Sequence, residues 1–84
     1  MILIPAHLRT VVSQDGAAIL DVSRNRIVTL NSTGGFVWER LQKGSSPRQI
    51  VDELAEESGS DASLVELGVS RFLERLRTEC LLLL

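Results

Sequence analysis

The segment Ala17 to Trp38, AAILDVSRNRIVTLNSTGGFVW, constrains the fold more than any other part of the chain. Ile19, Leu20 and Val22 form a β-type run that stops at the polar reversal Ser23-Arg24-Asn25-Arg26, and Ile27 to Leu30 resumes it. Asn25 is the position for a left-handed backbone residue in that reversal, because its short polar side chain tolerates positive φ. The run then switches at Leu30-Asn31 from β-type to helical patterning, with Trp38 inside the helix. This stretch therefore predicts strand, tight turn, strand and helix in order.

Upstream, His7 to Ser13 (HLRTVVS) alternates polar and apolar residues, and Gln14-Asp15-Gly16 marks a turn before the strand Ala17 to Val22. Short strands joined by short polar turns predict an antiparallel meander with one face inward and the last strand on an edge.

Downstream the chain reads as helical. Asn31 or Ser32 caps a first helix, Phe36, Val37, Trp38 and Leu41 give it an apolar stripe, and Gly44 ends it. Gly34-Gly35 in its opening turn costs roughly 1 kcal/mol per glycine relative to alanine. Close approach of the helix to the sheet would explain that cost. Ser46-Pro47 restarts the chain as a second helix that buries Ile50, Val51, Leu54 and Ala55 and closes at Gly59. Asp61 caps a third helix running to about Thr78. On it Val65, Val69, Phe72 and Leu76 form a core stripe, while Leu64, Leu67, Arg71 and Arg75 share an adjacent face. Two readings of that face stand: the leucines broaden the buried stripe, or they line the wall of a groove. The apolar run Leu81 to Leu84 must fold back on the domain or meet a partner.

Composition excludes more than it assigns. Eighty-four residues predict a single domain (1–84), and 44% apolar residues suffice for a core without staples. A lone cysteine, Cys80, forbids an internal disulfide and a cysteine-rich zinc site, and beside a leucine run it is expected to be buried. A single histidine, His7, leaves a histidine metal site incomplete, so no cofactor or metal is expected. The carboxylates Asp52, Glu53, Glu56 and Glu57 read as a solvated helix face. A net charge of −2 with interleaved signs argues against nucleic acid as partner. No secretion signal or membrane-length apolar run is visible, and a cytoplasmic binding module rather than an enzyme is expected.

Several short motifs in fixed order resemble the PqqD-like family, the small precursor-peptide recognition elements. They are Ile19-Leu20-Asp21, Ile27-Val28-Thr29-Leu30-Asn31, Thr33-Gly34 with Phe36-Val37-Trp38, Ser46-Pro47-Arg48-Gln49-Ile50, and Val69 to Leu76 before the closing leucines. The family often carries glycine in the second hairpin loop, where this chain has Asn25. The resemblance implies an α+β fold, a three-stranded antiparallel sheet followed by three helices, similar to a winged helix-turn-helix. It implies binding of the leader segment of a ribosomally made precursor peptide by β-strand addition to the third strand and against the third helix. The leader is then presented to a processing enzyme. The opening Ile4-Pro5-Ala6-His7 looks most like members from lasso-peptide clusters, whose partner is a leader-removing cysteine protease of transglutaminase-like type.

On that footing the expected peptide-binding residues are the strand Arg26, Ile27, Val28, Thr29 and Leu30, with Leu64, Leu67, Gly68 and Phe72 as an apolar floor and Arg71 and Arg75 at the rim. Other readings kept in view are a peptide chaperone of another ribosomal-peptide or PQQ-type pathway and a winged-helix DNA-binding regulator. An enzyme fragment or scaffold subunit docked on a larger protein through its apolar tail is a further one. Edge strands also allow a homodimer.

Overall fold

The order of elements follows from where the backbone is allowed to turn. In the computed structural model, which describes residues 3–83, β1 (Leu8–Ser13), β2 (Gly16–Asp21) and β3 (Arg26–Leu30) form an antiparallel sheet in the order β1-β2-β3. Gly16 has φ +144°, and a Cβ there would lie 1.9 Å from the Leu30 carbonyl oxygen, so only glycine fits between the β1–β2 turn and the end of β3. The second reversal carries Asn25 at φ +53°, as its residue type predicts. The register sets Ile19 opposite both Thr10 and Val28, and Ala17 opposite Leu30. Strand alternation then sends Leu8, Ala17, Ile19, Asp21, Val28 and Leu30 to the buried face, while Val11 and Ile27 face solvent.

Helix α1 (Ser32–Gln42) starts where Asn31 Oδ1 accepts the Gly34 N–H at 2.8 Å. The two glycines have separate reasons. A Cβ on Gly35 would sit 3.1 Å from the Gly16 backbone, so this residue lets the helix rest on the sheet; one on Gly34 would meet the Phe72 ring at 3.3 Å. Trp38 is fully buried, and its indole N–H donates to Thr10 Oγ1 at 2.8 Å. Gly44, at φ +89°, ends the helix in a Schellman turn, with Ser45 N–H on Arg40 O and Gly44 N–H on Leu41 O.

Helix α2 (Pro47–Ser58) opens with a reciprocal capping box between Ser46 and Gln49 and closes at Gly59 in the left-handed region. Arg40 Nε, 3.0 Å from Glu53 Oε2, ties it to α1. Helix α3 (Ala62–Thr78) is capped by Asp61 and packs on α2, with Val69 and Leu76 buried and Val65 and Phe72 half-buried against the core.

Two expectations resolve at the end of the chain. Cys80 is exposed, not buried: it occupies the left-handed position of a second Schellman turn, φ +62°, with its N–H on Arg77 O and Leu81 N–H on Leu76 O. That geometry turns the next residue inward, and Leu81 and Leu82 join the core beside Leu76. The apolar tail therefore folds back rather than waiting for a partner; Leu84 lies outside the described residues. Leu83 exchanges both backbone hydrogen bonds with Leu3, at 2.9 and 2.8 Å.

Candidate functional site

The meander leaves β3 with one neighbour, so one row of its N–H and C=O groups faces away from the sheet. Helix α3 packs on α2 and approaches β3 near the two ends of the strand, at Leu30 and at Arg26. Where β3 hands over to α1, a cavity of about 450 Å³ opens between strand and helices. Its walls are Leu30 and Asn31 at the strand end, Thr33, Gly34 and Val37 from α1, and Leu54 and Ser58 from α2. The α3 wall is Val65, Gly68, Val69, Phe72 and Arg75. Gly68 lies on this wall, and among the described residues no heavy atom comes within 4 Å of where its Cβ would be. The lining is mainly apolar and can take a large hydrophobic side chain, with Asn31, Ser58, Ser60 and Arg75 available for polar groups.

The residues expected from sequence divide around this cavity. Leu30, Gly68, Phe72 and Arg75 line it. Val28 points into the core, whereas Ile27 and Thr29 are exposed on the outer face of the edge strand. Leu64 and Leu67 are 68% and 48% exposed, so they do not broaden the buried stripe; with Arg71 they lie on the solvent side of α3, outside the cavity lining. Arg75 Nε is 2.8 Å from Glu79 Oε2. Asn31, Thr33, Leu54 and Ser58 were not anticipated as cavity residues. The Thr33-Gly34 pair was a usable signal, since a glycine without a turn to make implies a close neighbour.

At the other end of β3 lies a polar cluster that sequence reading passed over. Asp21 is 1% exposed. Its Oδ1 accepts from Ser23 Oγ at 3.0 Å and the Arg24 N–H at 3.2 Å, and His7 Nε2 lies 3.3 Å away. Burial alone would push this carboxyl up; the two hydrogen bonds and the charges of His7 and Arg24 outweigh it and hold the group below the usual carboxylate range. Arg26 Nη2 lies 3.8 Å from Asp21 Oδ2 and donates to Glu79 O, at the end of α3, at 2.6 Å. Strand parity could have revealed the cluster, because an inward Ile19 puts Asp21 inward too.

Among the described residues, no group of histidine, cysteine and carboxylate side chains is arranged to hold a metal, and no helix is long and apolar enough to cross a membrane.

Comparison with known proteins places the chain among characterised folds. Residues 16–82 match the family described as Coenzyme PQQ synthesis protein D (PqqD). Among solved structures, "TbiB1 in Complex with the TbiA(beta) Leader Peptide" superposes with a TM-score of 0.89 at 26% identity, over 94% of this chain and 92% of that one. "Lasso peptide synthetase B1 complexed with the leader peptide" superposes with a TM-score of 0.90 at 19% identity, over 99% and 98%, which establishes a shared fold. No curated protein sequence matches.

Proposed function

This chain belongs to the PqqD family, and from that premise we propose that it binds the leader segment of a ribosomally made precursor peptide and presents it for processing. The observation that carries the reading is the pairing of an open strand edge with an apolar cavity at its end. An extended peptide laid against Arg26 to Leu30 satisfies the free backbone groups of β3, and every second side chain of that peptide turns toward α3. One such side chain fills the space over Gly68 and Phe72. Burying an apolar anchor of that kind contributes roughly 1.5–3 kcal/mol. Arg71 and Arg75, exposed on α3, face acidic leader residues at the rim for about 0–1 kcal/mol each. Both similar structures are leader-peptide complexes, which supports the reading.

The finer assignments extend this reading. The chain is an adaptor without catalysis of its own, acting in lasso-peptide biosynthesis and delivering the leader to a cysteine protease of transglutaminase-like type. Self-association through a strand edge would compete with the leader for β3, so a homodimer, if formed in solution, uses the β1 edge.

Fluorescence-polarisation titration with labelled leader peptides encoded beside this chain's gene tests the function. Saturable binding at micromolar or tighter concentration that survives about 0.3 M salt is expected, because backbone pairing and apolar burial are weakly screened. A folded protein that binds none of these leaders refutes the proposal.

A further inference from the structure

Single side chains reach between α3 and the neighbouring elements near the two ends of β3. At the Leu30 end, the Phe72 ring of α3 lies against Gly34 at the start of α1. At the opposite end, Arg26 reaches from the first residue of β3 to the carbonyl of Glu79, 53 positions away, with a 2.6 Å bond. Glu79 is the C-cap of α3, where backbone carbonyls lack intrahelical donors and the helix dipole favours a cation.

The geometry around Arg26 is telling in what it leaves undone. Among the described residues, Asp21 Oδ2 and Arg26 Nε are both buried without a hydrogen-bond partner, although they belong to oppositely charged groups that approach to 3.8 Å between Nη2 and Oδ2. A guanidinium free to choose would make the parallel two-bond fork with that carboxylate. Here it is turned away from the fork and toward the end of α3, while the Asp21 charge, fixed by Ser23 and the Arg24 N–H, restrains it from behind. An arginine held this way ties the end of α3 to the start of β3 at a set distance.

We propose that Arg26, backed by Asp21, is the strut that fixes the spacing between the β3 edge and α3 and so sets the width of the leader groove. The inference rests on the leader-binding reading above, and it makes Arg26 a positioning residue whose side chain acts through Glu79 and Asp21 rather than by touching the leader.

The test uses Arg26→Met, Arg26→Lys and the double variant D21N/R26M, which also removes the carboxylate that the single Met change strands. Nitroxide labels at Thr29→Cys and Ser70→Cys, in a Cys80→Ser background, report the strand-to-helix distance by pulsed electron–electron resonance without peptide. Removing the strut in either Met variant should broaden or lengthen that distance, and Arg26→Lys, which can still donate to Glu79 O, should restore it. In polarisation titrations with the labelled leader, both Met variants should bind about tenfold more weakly, the equivalent of one charge-assisted hydrogen bond. The Lys variant should stay within about threefold of wild type. An unchanged distance in folded D21N/R26M overturns the strut. So does wild-type affinity in that variant when the wild-type protein itself binds. Wild-type protein that binds no leader instead refutes the reading beneath it, whatever the distances show.

Discussion

Replacing Gly68 with leucine should move stability and binding in opposite directions, a result that misfolding cannot imitate. Gly68 lies within α3, and among the described residues no heavy atom comes within 4 Å of a Cβ built on it, so a larger residue meets no steric obstacle there. Leucine is nearly as good a helix former as alanine, and the change should stabilise the fold by about 0.5–1 kcal/mol. The same side chain projects into the roughly 450 Å³ cavity beside Phe72 and Leu30. A leader anchor displaced from that space loses roughly 1.5–3 kcal/mol of burial. That loss corresponds to about ten- to 150-fold in Kd. Urea unfolding followed through the buried Trp38 measures the first effect, and polarisation titration measures the second. Wild-type affinity in a stabilised Gly68→Leu protein would refute the placement of an anchor in the cavity. A loss of stability would refute the open space itself.

Three further outcomes follow from local geometry. Cys80→Gly should stabilise the domain by about 1 kcal/mol in urea unfolding, because a non-glycine residue is strained at φ +62° and α1 already uses Gly44 in the equivalent turn. Thr10→Val keeps the shape but removes the acceptor shared by Trp38 Nε1 and Gln42 Nε2; stranding the buried indole N–H should cost about 1–3 kcal/mol by the same assay. The carboxyl of Asp21 is held below its ordinary value of 3.8, so its stabilising contribution is complete above that value and fades as pH falls through the lower folded one. Asp21→Asn should therefore flatten the acid limb of the stability–pH curve below about pH 4 and leave its shape near neutrality unchanged.

Much of the fold was legible because local chemistry agrees with it at each boundary. Asn31, Ser46 and Asp61 cap the helices they announce, Gly44 and Gly59 end them, and Asn25 takes the left-handed turn position. The open edge of β3 was equally readable from strand order alone. The cavity was only half readable. Gly68 and Phe72 could be placed on one helix by periodicity, but Thr33, Leu54 and Ser58 reach the same space only through the angle at which three helices meet, which no single segment encodes. Cys80 illustrates the opposite failure. Residue-type preference points inward, yet the Schellman geometry needs a left-handed residue there to send Leu81 into the core, and backbone direction prevails over side-chain polarity. Asp21 was hidden for a related reason: alternation places it inside, while its charge argues for the surface, and only the surrounding donors reconcile the two.

The hydrogen bonds between Leu3 and Leu83 bring residues from the two ends of the chain side by side and antiparallel. A segment whose residues 3 and 83 lie side by side spans no gap when spliced into a loop of a host protein, so its insertion adds little beyond the slowly growing entropy of a longer loop. The same arrangement permits circular permutation: a short linker across residues 3 and 83, with new ends opened in the exposed Gly59-Ser60 connection between α2 and α3, would preserve every strand and helix. The Leu3–Leu83 pair thus gives the domain one place at which it can be both entered and left.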